Sequence, residues 1–534
     1  MRRSRLPFLL VLALGLCTAL AAAAQDDEMV KEFAKYFKKY KDTPTRVEAV
    51  LALENNESPK VVDALVEVVD GAEPDVRRAV VRVLGRFETR PPVDTLLAEL
   101  ERNKREGVRL ALLDAIATGG YAGAEPIVAA LLSDKSWVVR RQALTALARS
   151  AAAPAEGAFL SEDGGQPAAQ PEAQAEPLDV PATILPLCLD SEPAVRCAAF
   201  DALALLASPL VVEPALAALV DPVWQVRASA VAALGVVRRR ESIAPLIERM
   251  ALEEGRLVAD IGNALGEITG RGFGQRLESW QKFWATFGDR FQIPTDEELA
   301  KLREAQARSR EKYVPPGAVS YYGIDSPSRR ILFVIDVSGS MESEVVERER
   351  FQSGDYPSML RIDIVKTELM RTIENLEAYV EFNVLAFATD VTSWKKSLAP
   401  ANVLSKSSAI DWVGRLQAIG GASKQDLASA GLVGSANLEA GKTNTYAALM
   451  AALGVDPGAR RDEYSVAVDT VFFLSDGRPS HGDYVDTDDI LREVRAANQA
   501  RKVVIHTIAL GEFQKEFMRQ LAGENGGVFV DLGR

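Results

Sequence analysis

A two-residue step, Val-Arg, returns along the first half of the chain at a nearly constant interval. It opens "VRRAVVRVLG" from Val76, "VRLALLDAIA" from Val108, "VRRQALTALA" from Val139, "VRCAAFDALA" from Val195 and "VRASAVAALG" from Val226, at offsets of 32, 31, 56 and 31 residues. One further step of 31 reaches Leu257 in "LVADIGNALG", and one step back from Val76 reaches Thr45 in "TRVEAVLALE". A fixed period of this length marks stacked copies of one supersecondary unit. Inside each copy the apolar residues fall at helical spacing, as at Ala143, Leu144, Ala146 and Leu147. A single helix pair cannot bury its apolar stripe alone, so about seven pairs are expected to stack and share one core.

The 56-residue offset marks an insertion of about 25 residues. Residues 151–180 are rich in Ala, Pro, Gln and Glu, a composition that buries too little apolar surface to order itself. A disordered surface loop is expected there. The period and the Val-Arg step resemble HEAT-type α-solenoid repeats over about residues 28–270. That resemblance implies a scaffold with a concave face able to take a protein partner. The repeated Arg is read first as a bond to the neighbouring copy. Over 271–328, Trp280, Phe283, Trp284 and Phe287 stand at helical spacing ahead of Gly288, which suits a lid on the last repeat. Thr295 and Glu298 form a capping-box pattern opening a charged linker helix.

The formal net charge of −13 argues against sequence-independent nucleic-acid binding, which needs a basic face. Residues 1–24 carry three Arg, then an uncharged run that ends in small residues, Ala22 and Ala24. This is the layout of a secretory signal. An uncleaved anchor is the alternative, since Leu6–Ala24 nearly spans a bilayer. No later segment is long and charge-free enough to be a membrane helix. The chain is therefore expected to be exported, to a periplasm or to the outside and cell surface. Cys188 and Cys197, the cysteines beyond the signal, suit small buried apolar positions or a pair.

From Arg330 the pattern changes. Short apolar runs at 331–335, 379–387, 470–474, 503–510 and 527–530 alternate with helical stretches. Such alternation predicts an α/β doubly wound, Rossmann-like domain, with ligands at the carboxyl ends of its strands. The polar residues cluster at those ends. "ILFVI" runs into Asp336, Ser338 and Ser340, "TVFFL" runs into Asp476, and Thr443 lies in a loop before a helix.

"AGKTNTY" imitates a nucleotide-binding loop, but Ala436 stands where that pattern requires Gly and no strand feeds the loop. A metal suits the residues better. Two carboxylates and three hydroxyls are hard oxygen donors, fit for Mg²⁺, with Mn²⁺ or Ca²⁺ as alternatives. "DVSGSM", Thr443 in "GKTNTY" and Asp476 in "LSDG" resemble the metal-ion-dependent adhesion site of von Willebrand factor type A domains, over about 329–534. The resemblance implies Ser338 and Ser340 as direct ligands and Thr443 as a direct or water-mediated one. Asp336 and Asp476 would act through water. It also implies a partner protein whose carboxylate completes the shell. Lys442 departs from the family pattern, which has Gly there.

The expectation is a multidomain, non-enzymatic exported binding protein, an all-α solenoid followed by a metal-dependent recognition domain. Two alternatives stand beside it. One is a metal-dependent hydrolase using the same ion, with His481 as the available histidine base. The other is a solenoid-centred scaffold with the C-terminal domain as anchor. His506, in an apolar strand, reads as a core residue.

Overall fold

The structure, a computed structural model, describes residues 28–153, 178–308, 318–345, 348–351, 354–419, 441–455, 466–511 and 515–533. The expected signal at 1–24 and most of the expected loop at 151–180 lie outside the described residues. The chain divides into two compact units, Met1–Ala218 and Leu219–Arg534.

In the first unit each Val-Arg step sits in a helix. Thr43–Leu51 packs on Pro74–Leu84, that helix on Glu106–Gly119, then Trp137–Ala152, then Pro193–Leu205. Several repeat helices start on a proline, Pro59, Pro74 and Pro193 among them, where the missing N–H would have no partner anyway. Ser58 and Asp42 cap their helices by accepting from the N–H groups of Lys60 and Thr45.

The repeated Arg has a structural task. Arg109, Arg140, Arg196 and Arg227 each donate to the carbonyl six residues back, at 2.7–2.9 Å, which closes the turn before the helix. Most also reach an acid in the next copy. Arg109 pairs with Asp134, and Arg140 pairs bidentately with Asp190 at 2.8 Å. Arg227 meets Glu253 at 2.6 Å in the second unit. Bidentate pairs of this kind fix geometry as well as adding energy. Cys188 and Cys197 are buried and form no disulfide among the described residues, and burial pushes the Cys188 thiol up to about 12.

The second unit begins with helices Trp224–Val237 and Arg256–Thr269, packed on one another. The aromatic helix Leu277–Phe287 lies on helix Ile243–Met250. Trp280 is fully buried against Phe273 and Phe283, and its indole N–H donates to the Gly274 carbonyl at 2.7 Å. The capping box forms, with Thr295 N–H to Glu298 at 2.8 Å and Glu298 N–H to the Thr295 hydroxyl at 3.3 Å.

The α/β part follows. Strands β1 (Val319–Tyr321) and β2 (Ile324–Ser326) form a hairpin that the sequence reading assigned to linker. Tyr322 and Gly323 take φ of +48° and +76°, the doubly positive turn that matches strand twist. The main sheet holds β3 (Arg330–Asp336), β4 (Glu381–Phe387), β5 (Val391–Ser393), β6 (Ala399–Pro400), β7 (Thr470–Ser475), β8 (Val504–Ala509) and β9 (Phe529–Asp531). Its order is β5-β4-β3-β7-β8-β9, with β6 also on β4. β3, β4, β7, β8 and β9 run parallel, and the short β5 and β6 antiparallel. Near-continuous apolar runs make such strands because both faces are covered. Ile331, Phe333 and Ile335 face helices Arg361–Glu374 and Val403–Gly414. Leu332 and Val334 face helices Thr445–Ala452, Thr487–Asn498 and Lys515–Glu524.

The sheet's N-terminal edge is tied to the last repeat. Arg256 donates to the carbonyls of Asp469, at 3.3 Å, and Lys502. Trp224 lies within 5.5 Å of both the Arg256 and the Arg330 guanidinium groups. The opposite edge of the sheet carries the candidate site.

Candidate metal centre

β3 is the strand at which the winding reverses, with β4 on one side and β7 on the other. The chains leaving β3 and β7 therefore part above the sheet and leave a crevice there. β3 ends on Asp336 and β7 on Ser475, so both carboxylates of the site stand at this crevice.

Asp336 is fully buried. Its Oδ1 accepts from the Ser338 N–H at 2.8 Å and its Oδ2 from the Ser475 hydroxyl at 2.6 Å. The first of these bonds turns the chain locally and presents Ser338 and Ser340 side by side, with Oγ atoms 3.2 Å apart. Ser340 then donates to Asp476 Oδ1 at 2.7 Å. Thr443 comes from a third loop. Its N–H donates to Ser480 Oγ at 3.0 Å and its carbonyl accepts from the Ser480 N–H at 2.9 Å. That loop is pinned over the end of β4, with Asn444 N–H to the Ala388 carbonyl at 2.9 Å and Lys442 N–H to Thr389 Oγ1 at 3.2 Å.

All five residues singled out in the sequence thus meet at one place. Gly477 shows how tightly. A Cβ built on it would lie 3.2 Å from Thr443 Oγ1, 3.3 Å from Ser340 Oγ and 3.8 Å from Asp336 Oδ2. Three oxygens from two loops face one small cradle, which Gly477 of a third loop lines. Ser340 is exposed while Asp336, Ser338, Thr443 and Asp476 are buried, so the cradle opens on the Ser340 side. Burial, and then the nearby Asp476, push the Asp336 carboxyl up to about 7. Two buried carboxylates so close favour a cation between them. The donor set and the cradle fit a small hard divalent ion.

Sequence reasoning missed three residues here. Ser475 holds Asp336, Ser480 holds Thr443, and Arg361 reaches Asp476 Oδ2 at 2.5 Å from the start of helix Arg361–Glu374. Ser475 and Ser480 stand within a few residues of Asp476 and were open to notice as polar residues in its loop. Arg361 had no such signal, because only the packing of its helix brings it to the site. Of the histidines, His481 meets Thr443 through its backbone, N–H to carbonyl at 3.3 Å. His506 is buried in β8 with its ring stacked on Phe472 at 4.9 Å.

Comparison with known proteins agrees with this architecture. A family model of HEAT repeats matches residues 181–266, and one of the von Willebrand factor type A domain matches residues 329–531. Inter-alpha-trypsin inhibitor heavy chain H1 of Mesocricetus auratus is 27% identical over 201 residues, 38% of this chain and 18% of that protein. Heavy chain H4 of Homo sapiens is 26% identical over 209 residues, 39% of this chain and 18% of that protein. The aligned part therefore spans under a fifth of the length of these relatives. Among solved structures, a von Willebrand factor type A protein from Catenulispora acidiphila aligns at TM-score 0.25 and 17% identity, covering 39% of each chain. The chain carries HEAT repeats over residues 181–266 and a von Willebrand factor type A domain over residues 329–531.

Proposed function

We propose that the type A domain holds a divalent cation, Mg²⁺ in preference to Mn²⁺ or Ca²⁺, and recognises an acidic group on a partner protein. Ser338, Ser340 and Thr443 would be its neutral ligands, with Asp336 and Asp476 holding the surrounding waters. When bound, the ion supplies a Lewis-acidic position for an outside carboxylate. The chain's own part is to fix five oxygen-bearing side chains at the crevice above the open sheet. The observation that carries this reading is the Gly477 cradle, where oxygens of the Asp336–Ser340 loop and of Thr443 converge on the loop of Asp476. A protein-interaction role also accords with the relatives, which are by name heavy chains of an inter-alpha-trypsin inhibitor. In this reading the protein is non-enzymatic and exported. Its repeats offer a second protein-binding surface, and residues 1–24 are the signal.

Calorimetric titration of Mg²⁺ into the full chain tests the site. Wild type is expected to give saturable heat, and Ser338→Ala and Asp336→Ala to give none. Equal heats in all three proteins would sink the assignment.

A further inference from the structure

The Asp476 side chain is enclosed, at 0% exposure. A buried carboxylate needs a charge or several donors to remain ionised. Ser340 provides one neutral hydrogen bond to Oδ1. Arg361 provides the charge, at 2.5 Å from Oδ2, and is itself only 14% exposed. Both oxygens of Asp476 are thus engaged by the chain's own groups.

Arg361 is held by fewer bonds than Arg140 and Arg227. Arg140 spreads its guanidinium over the two oxygens of Asp190 and the Asp134 carbonyl, and Arg227 does the same with Glu253 and the Asp221 carbonyl. The Arg361 guanidinium meets Asp476 through Nη1, and its Nε is buried with no hydrogen-bond partner among the described residues. Its backbone is fixed independently, by its N–H to the Ser343 carbonyl at 2.9 Å. The guanidinium can therefore leave Asp476 without breaking that backbone anchor.

Resting on the metal reading above, we propose that Arg361 is a resident counter-cation of this site. It competes with the divalent ion for Asp476 and so sets the ion concentration at which the site fills. A fixed positive charge beside a cation site opposes the second cation, and a carboxylate already paired offers less to it. The arginine keeps Asp476 paired at low ion concentration and raises the concentration at which the ion takes over. A binding domain so built would recognise its acidic partner only above a threshold of free divalent ion.

The test is Mg²⁺ calorimetry on the full chain for wild type, Arg361→Ala and Arg361→Gln, with thermal melting of each after chelation. Glutamine keeps a donor and part of the packing but not the charge, and it carries the test if the alanine variant does not fold. The expected result is Mg²⁺ binding on the order of tenfold tighter in both variants, the range seen when groups around metal ligands change. Both should also melt lower than wild type after chelation and recover the difference with Mg²⁺. Unchanged or weaker binding in the glutamine variant, with heat from wild type, overturns the competition and leaves the metal reading standing. No heat from any of the three proteins removes the metal reading and this proposal together.

Discussion

His506 holds a neutral imidazole inside a parallel sheet. Its Nδ1 accepts from the Val528 N–H at 3.0 Å, so protonation there would set a donor against a donor. Burial first, and then the nearby Arg256 charge, lower its pKa from 6.5 to about 4. The folded state thus binds this proton more weakly than the unfolded chain. The residue's contribution to stability is complete above pH 6.5 and is lost as pH falls toward 4. The amount is roughly 3 kcal/mol by linkage. Urea unfolding midpoints of wild type should fall across that window, and His506→Gln should flatten this part of the acid limb. An identical acid limb in the variant would show that the ring is not the group responsible.

At the scale of elements, the repeat is held by more than its apolar stripe. The Val buries and the Arg closes the preceding turn and clamps the next copy, which explains why the two recur together. Arg140 and Asp190 are 14% and 9% exposed, and Arg303 and Glu267 are both about half exposed. Removing one partner of an enclosed pair strands the other, at a cost of about 3 kcal/mol. Removing an exposed partner costs about 0.5 kcal/mol. Arg140→Ala should accordingly lower chemical stability severalfold more than Arg303→Ala, measured by circular dichroism through denaturant. The strands follow a different rule. β3 and β7 are apolar on both faces because helices cover both, and Phe333 stacks on its cross-strand neighbour Phe472 at 5.5 Å. Their cores were legible as apolar runs. The hairpin β1–β2 and the edge strands β5 and β6 were not, because runs of two or three residues carry no periodic signal.

Across the whole molecule, the period survives its own interruption. Helices Trp137–Ala152 and Pro193–Leu205 pack together although about 25 extra residues separate them, and Arg140 still meets Asp190. Deleting residues 154–177 restores the common period and should leave the thermal midpoint within about 3 °C, since the entropy of closing a loop changes only slowly with its length. A larger drop would show that the inserted segment takes part in the fold. The sequence alone determined the helical repeats, the alternating α/β domain and the five oxygen-bearing residues at 336, 338, 340, 443 and 476. These are matters of period and of strand ends, which neighbours along the chain express directly. Only the tertiary structure decided that the Asp336 and Asp476 loops flank one crevice with Thr443, and that Arg361 enters it. Strand order and helix packing settle which distant segments become neighbours, and no local pattern encodes that choice.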